Sequence, residues 1–266
     1  MTKTLSTLMI AFAVSLIAFG TAQAVKGPPD IRNTVHNLSS GVGNFNAVYR
    51  SSNEDEVCIF CHTPHGGSLT GPLWNRANTG TTYTHYSSAG ASAYLRGLSV
   101  NRPVGKESML CLSCHDGSIT VQSILNTSNR TGGQPESFWD PANGVKITAL
   151  DLGFVAATAA KIGASLDAGG NLVDVSTDLM DDHPISFLYD SVRAQKPSEF
   201  KTITLAEGAG VRFFPQTSAD GLKRVECSSC HDPHVDYYSG TGNAAYTPFL
   251  ITPNDGSKLC LACHTK

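Results

Sequence analysis

The sequence has little charge and no basic excess. Asp, Glu, Lys and Arg together make up 15% of the 266 residues, and the formal net charge is −3. Nucleic-acid binding needs a basic surface, so this mild acidity argues against a nucleic-acid partner. Gly, Ser, Thr and Asn are abundant instead. This composition predicts a mostly irregular, loop-rich fold whose order does not come from long helices or sheets.

Long apolar runs are also scarce, and the one that stands out, Leu8–Phe19, lies near the N-terminus. Lys3 precedes it and Ala22 and Ala24 follow, which is the pattern of a secretory signal peptide with its cleavage site. The run is shorter than the roughly 20 residues that cross a bilayer as a helix. We therefore expect residues 1–24 to be removed on export, leaving no membrane span; an uncleaved anchor helix is the alternative.

The eight cysteines form four C-x-x-C pairs, and a histidine follows each pair directly. An even number of cysteines in an exported chain suggests disulfides by default, but this spacing is that of covalent c-type haem attachment. Two thiols three residues apart can each form a thioether to a haem vinyl group, and the next imidazole can reach the iron. The predicted haem-attachment residues are Cys58, Cys61, Cys111, Cys114, Cys227, Cys230, Cys260 and Cys263, and the predicted proximal iron ligands are His62, His115, His231 and His264.

Two other chemistries use C-x-x-C pairs, and both fit less well. A zinc ribbon needs no histidine directly after its second cysteine. A thioredoxin-type dithiol needs one pair in a β-α-β context rather than four pairs in loops. Because histidine accounts for only 9 of 266 residues, its presence after all four pairs favours four covalent haems c.

The four motifs form an internal repeat of two units. The first and third share a C-x-x-C-H-x-P-H form that ends at His65 and His234, and the second and fourth share an L-C-L-x-C-H form. Each unit also has one upstream histidine, His36 or His183. The predicted organisation is a signal peptide at 1–24, a first dihaem unit with an N-terminal arm at 25–117, an insert without motifs at 118–180, and a second dihaem unit at 181–266.

Each haem iron takes two axial ligands, so four positions stay open after the motif histidines are counted. Only two methionines follow residue 24, and the repeat selects four of the five remaining histidines as distal ligands: His36, His65, His183 and His234. We therefore predict four bis-histidine, six-coordinate haems, and no enzyme activity, since a substrate-reducing haem needs an open iron position. The role of the ninth histidine, His85, stays open.

His65 cannot ligate the haem on its own motif. It lies three residues after His62, and three residues span at most about 11 Å, too little to pass around the porphyrin. We expect His65 and His234 each to serve the second haem of their own unit. His36 and His183 would then serve the first haem of each unit, or a haem elsewhere.

Few regular elements are predicted. We expect an extended arm at 25–57, short helices before Cys111 and Cys260, an Ala-rich helix at Phe154–Leu166, and a β-hairpin at 200–226 that delivers the third motif. The fold class is thus loop-rich, with few short α-helices and a small β-hairpin, organised around four stacked haems. Because the porphyrins replace the usual apolar core, we expect the haem-free chain not to fold.

With these motifs in view, the sequence resembles the multihaem cytochromes with doubled C-x-x-C-H motifs, and more narrowly the tetrahaem extracellular cytochromes that polymerise into conducting filaments. The resemblance rests on VHNLS, CIFCHTPH, PLWNR, CLSCHDG, DDHPISF, ECSSCHDPH and CLACH. It implies a secreted subunit with a continuous row of bis-histidine haems. It also implies one axial histidine that crosses to the adjacent subunit, for which His36 on the terminal arm is our hypothesis.

The leading interpretation is an electron-transfer protein at the cell surface. Its expected partners are copies of itself in a filament, redox partner proteins and external electron acceptors. The first alternative is a monomeric periplasmic shuttle with the same haems. The second is a multihaem oxidoreductase acting on a nitrogen or metal substrate, which an open iron position would reveal.

Overall fold

The structure is a computed structural model that describes the chain in several stretches. Side chains are described for 30–39, 54–68, 71, 73–76, 82–116, 124–126, 178–180, 182–215, 221–237 and 243–265, and the backbone alone for strands at 137–140, 145–148, 164–166 and 172–174. The longest α-helix in these stretches has 10 residues. These short elements are compatible with the loop-rich fold expected from the composition.

Five short α-helices lie in the described residues: α1 Ala93–Gly97, α2 Lys106–His115, α3 Tyr189–Gln195, α4 Ile203–Gly208 and α5 Lys258–Cys263. Ser92 caps α1 and Thr202 caps α4, each by accepting a hydrogen bond from the backbone N–H three residues on. The helices expected before Cys111 and Cys260 are confirmed as α2 and α5. Both continue through their motifs, so they carry the second pair of cysteines in each unit.

The strands are equally short: β1 Tyr83–His85, β2 Asn101–Arg102, β3 Ser137–Asp140, β4 Val145–Thr148, β5 Ala164–Leu166, β6 Leu172–Asp174, β7 Asp178–Leu179, β8 Phe187–Leu188 and β9 Arg224–Val225. They form a three-stranded sheet in the order β2-β1-β7 and the antiparallel pairs β3–β4, β5–β6 and β8–β9. β7 pairs with β1 in parallel. The end of the predicted insert therefore belongs to the sheet of the first unit.

Three sequence expectations need correction. The segment Ile203–Gly208 is helix α4 rather than a hairpin strand, because Thr202 caps it and Ala206 is fully buried against its neighbours. Phe214 meets Arg224 in an isolated antiparallel bridge only. Residues 164–166 of the predicted Ala-rich helix form β5, and the rest of that prediction lies outside the described residues. In the arm, Ile31–Asn33 forms a 3₁₀ turn rather than extended chain, capped by Asp30.

Buried apolar residues gather in small clusters rather than in one core. The largest lies in the second unit and comprises Phe187, Tyr189, Val192, Ala206, Val211, Phe213, Val225 and Ala262. A second cluster joins β1, α2 and β7 around Tyr83 and Met109. In the part of the chain that the structure describes, no helix has the length and apolar character needed to cross a membrane.

Candidate haem sites

The first motif of each unit sits on a 3₁₀ turn. The turns are Val57–Phe60 and Cys227–Ser229, and the N–H of the motif histidine donates to the carbonyl of the first cysteine in both, at 2.7 Å for His62 and 3.0 Å for His231. This tight turn brings the two cysteines of each pair to one side of the chain. After the turn, His62 forms an isolated antiparallel bridge to Trp74, and His231 forms one to Leu250.

A second segment brackets each of these motifs in the same way. We name it the return segment: residues 73–75 in the first unit and 249–251 in the second. The N–H of the residue after the motif histidine donates to the first carbonyl of the return segment, at 2.8 Å and 2.7 Å. The third N–H of the return segment donates to the second motif cysteine, at 2.9 Å in both units. Leu73 and Phe249, the equivalent first residues, both have positive φ, 55° and 57°.

The second motif of each unit ends an α-helix. His115 is the last residue of α2, and His264 directly follows α5. Cysteines three residues apart on a helix lie on one face, as thioether formation to a single porphyrin requires. The structural repeat thus matches the sequence repeat: a 3₁₀ turn holds the first motif and a helix end holds the second.

Hydrogen bonds fix the second motif beside the third. The Ser108 hydroxyl on α2 donates to Glu226 at 2.5 Å and accepts the Cys227 N–H at 3.0 Å. Ser186 donates to the same carboxylate at 2.8 Å. A side chain at Gly105 would collide with that carboxylate, so the close approach depends on glycine. The sequence feature that could have indicated this junction is Glu226, an acidic residue directly before the third motif.

The thiols of consecutive motifs adjoin one another. None of the eight cysteines is in a disulfide. Cys111 and Cys227 share a hydrogen bond that raises the pKa of Cys111 and lowers that of Cys227. Burial, reinforced by nearby Cys114, raises the pKa of Cys61 to about 12, and burial with nearby Cys263 does the same for Cys230. Each motif therefore has a cysteine near a cysteine of the next motif along the chain, from the first motif to the fourth.

Two pairs of imidazoles have ring centres at the separation expected of two ligands on one iron. A metal ion binds an imidazole nitrogen at about 2.0–2.1 Å, and with roughly 1.1 Å from that nitrogen to the ring centre, opposed ligands have centroids about 6.3 Å apart. The centroids of His62 and His234 are 6.3 Å apart and those of His36 and His115 are 6.0 Å apart. These residues therefore fit a haem iron between them.

His183 and His264 form a third neighbouring pair. Burial lowers the pKa of His264, and the adjacent His183 lowers it further. The pairing repeats that of the first unit, since His183 corresponds to His36 and His264 to His115. In each unit the upstream histidine thus lies with the histidine of the second motif.

Several ring Nδ1 atoms are committed to oxygen acceptors. Nδ1 of His183 lies 2.9 Å from the Pro184 carbonyl, that of His231 lies 2.8 Å from the Pro248 carbonyl, and that of His234 lies 2.8 Å from Asp232. Because carbonyl and carboxylate oxygens can only accept, Nδ1 carries the proton. Nε2 is then the unprotonated nitrogen that a metal needs.

His36 differs, since its Nδ1 is buried and has no hydrogen-bond partner among the described residues. Burial, with His115 and His234 nearby, lowers the pKa of His36 to about 4. Its ring packs on Phe249 with centroids 4.3 Å apart. The imidazole is therefore held neutral, which is the form that binds metal.

The histidine rings that lie close together differ from the expected pairing of ligands, which stays a prediction. The ring opposite His115 is that of His36 rather than His65, and the ring opposite His62 belongs to the other unit, at His234. The hypothesis that His36 crosses to an adjacent subunit stays a prediction, and in this chain the His36 ring lies 6.0 Å from that of His115. In the part of the chain that the structure describes, neither His65 nor His231 has an imidazole packed opposite it.

His85, the histidine left over from the count, is a core residue of β1. It is 1% exposed, and its Nε2 lies 3.0 Å from the Arg102 carbonyl. That nitrogen must donate to the carbonyl and is not available to a metal. Burial, with the nearby Arg102, lowers the pKa of His85 to about 4.

Comparisons with known proteins add no assignment. No protein-family model matches the chain, and no curated protein matches it. Among the described residues, no group of three or more His, Cys, Asp or Glu side chains is arranged to hold a metal ion by itself.

Proposed function

We propose that the chain is an exported tetrahaem c-type cytochrome that transfers electrons. The observation that carries the proposal is the opposed imidazole pair, 6.3 Å between His62 and His234 and 6.0 Å between His36 and His115, each beside a C-x-x-C-H motif. A bound haem supplies a one-electron ferric/ferrous couple. With histidine on both faces the iron has no open position, which favours electron transfer over a multihaem oxidoreductase.

The residues of this chain hold and orient the four haems. The eight motif cysteines anchor the porphyrins, the motif histidines bind one face of each iron, and His36, His183 and His234 bind the other face of three. Cys61 lies near Cys114, Cys111 near Cys227 and Cys230 near Cys263, and this order favours a single row of haems in chain order. Such a row carries electrons from one end of the subunit to the other.

The repeat also suggests what completes the fourth iron. The first unit takes a ligand from the second, because His234 lies opposite His62. The residue equivalent to His62 in the second unit is His231, and the equivalent of His234 one unit further on is His65 of another copy. Both His65 and His231 are exposed. We therefore assign His65, rather than His36, as the ligand given to the neighbouring subunit.

A second contact follows the same rule. In the first unit His36 packs on Phe249 of the second unit. The equivalent contact across copies joins His183 to Leu73, and Leu73 is 53% exposed. A head-to-tail contact between two different surfaces generates a ring or an open filament. Since the row of haems must continue across it, we propose an extracellular filament that conducts electrons to external acceptors.

Electron microscopy of the secreted fraction, with its haem content measured by absorbance of the pyridine complex, tests this function. We expect filaments with four covalent haems per chain. Haem-loaded monomers without filaments would contradict the filament and favour the periplasmic shuttle. A chain without covalent haem would refute the cytochrome assignment altogether.

A further inference from the structure

One side chain distinguishes the two C-x-x-C-H-x-P-H motifs. The position after the motif histidine is Thr63 in the first and Asp232 in the third. Thr63 donates its hydroxyl to the His65 carbonyl at 2.9 Å and makes no bond to the imidazole in the described structure. Asp232 accepts two hydrogen bonds from His234 instead, from the backbone N–H at 3.0 Å and from Nδ1 at 2.8 Å.

The Asp232 carboxylate is itself held on its other oxygen. Nη1 of Arg212 donates to it at 3.1 Å, and the carboxylate side chain is only 7% exposed. The carboxylate therefore accepts a hydrogen bond from an imidazole on one oxygen and from a guanidinium on the other.

We propose that Asp232 is a positioning residue that aims Nε2 of His234 at the iron of the first haem and lowers the reduction potential of that haem. The inference rests on the proposed function, since it needs a haem between His62 and His234. A carboxylate on Nδ1 fixes the ring orientation and makes the imidazole a stronger donor. A stronger donor and a nearby negative charge both stabilise the ferric state.

Arg212 modulates the same carboxylate. As a cation it withdraws negative charge from Asp232, and it does so without touching His234. Removing Arg212 should therefore act opposite to removing the charge of Asp232. A residue with a merely structural role would give shifts of one sign in both variants, because either change would loosen the ligand.

The test is a potentiometric titration of the haem-loaded protein, followed by its visible and low-spin ferric EPR spectra. In Asp232→Asn, which keeps the shape and removes the charge, one haem in four should become about tenfold more reduced at a fixed potential, or about 59 mV for a one-electron couple. Arg212→Gln should shift the same haem a smaller distance the other way. Asp232→Thr, which copies the first motif, should match or exceed the Asn variant.

The outcomes separate the inference from the proposed function. Wild-type protein without four bis-histidine haems defeats the proposed function and the inference with it. Four bis-histidine haems whose potentials are the same in all three variants overturn only the role of Asp232. Shifts of the same sign in Asp232→Asn and Arg212→Gln, or equal shifts of all four haems, also overturn it. If Asp232→Asn loses haem, the Arg212→Gln variant tests the role of Asp232 by itself. A lower reduction potential of one haem supports that role, and a higher or unchanged potential overturns it.

Discussion

The two copies of the C-x-x-C-H-x-P-H motif have the same backbone and different surroundings. Each sits on a 3₁₀ turn and is bracketed by a return segment that begins with a positive φ. His234 lies opposite an imidazole of its own chain, whereas His65 is exposed and has none opposite it in the described residues. The difference is one of position in the repeat: the first copy has a unit before it only if another subunit supplies one.

The same contrast holds in the return segments. Phe249 packs on His36 and on Tyr237, with centroids 4.3 Å and 4.6 Å apart, while its counterpart Leu73 is 53% exposed. Exposed apolar residues are ordinary when single. Here the exposed residue occupies a place that is filled one unit further along the chain. An internal repeat can therefore indicate how its own ends are completed.

The largest effect is expected when all four haems are removed, which should abolish cooperative folding. Haem-free chain, made by replacing all eight motif cysteines with alanine, should show no cooperative thermal transition by circular dichroism. The described apolar clusters are small and scattered, so we expect the proposed porphyrins to supply much of the buried surface. The matched control is the wild-type chain with covalent haem, measured under the same conditions. A cooperative transition in the haem-free chain would contradict the prediction.

The second prediction concerns the last histidine of each C-x-x-C-H-x-P-H motif, replaced one at a time. In His234→Ala the haem of the first motif loses a ligand inside the chain, so one haem in four should bind carbon monoxide when reduced. In His65→Ala the lost ligand belongs to the neighbouring copy, so filaments should be absent while covalent haem content stays at four. Electron microscopy and carbon monoxide titration measure the two effects. Intact filaments from His65→Ala would show that His65 is not the exchanged ligand.

The haem motifs, the two-unit repeat and the set of eight candidate ligands could all be predicted from the sequence, because they depend on local spacing. The proximity of particular histidine rings could not. Nothing in the spacing indicated that the ring of His234, from the second unit, would lie 6.3 Å from that of His62. The overlooked signal was Pro72-Leu73 and Pro248-Phe249, whose similarity extends the repeat beyond the cysteines.

In the secondary structure, too, the elements set by local sequence could be predicted, whereas those set by tertiary packing could not. The helices ending at the second and fourth motifs were predictable from their L-C-L-x-C-H pattern. Ile203–Gly208 was not, since the β-branched residues of this segment favour a strand, while the Thr202 cap and the burial of Ala206 favour the helix that forms. Local propensity is a weak guide where tertiary packing decides.

The third prediction concerns His85, which lies outside the comparison of copies. Replacing it by Leu removes the donor to the part-buried Arg102 carbonyl and should cost roughly 1–3 kcal/mol of unfolding free energy, with all four haems still six-coordinate. The pKa of His85 is lowered from 6.5 to about 4 in the fold. The wild type should therefore lose stability as pH falls from 6.5 towards 4, because the unfolded chain takes up the proton first.

The His85→Leu variant should lose less stability than the wild type over that pH range, and denaturant unfolding at several pH values measures the difference. Thr84→Val on the same strand is the control, because its hydrogen bond to Asn101 is exposed. That variant should stay within about 0.5 kcal/mol of the wild type and keep its pH dependence. A new carbon monoxide-binding haem in His85→Leu would identify His85 as a ligand and contradict the structure.

The smallest effect is expected at Leu73, which is exposed, whereas the His36 ring packs on its counterpart Phe249. Leu73→Ser should leave monomer unfolding unchanged, since the side chain is 53% exposed in the subunit. If a neighbouring copy buries it, the lost apolar contact of about 1.4 kcal/mol raises the critical concentration for assembly about tenfold. Leu73→Phe, which gives the first copy the residue of the second, should lower that concentration. Sedimentation across a dilution series measures both critical concentrations. Equal values in the two variants would show that Leu73 is not part of the contact between copies.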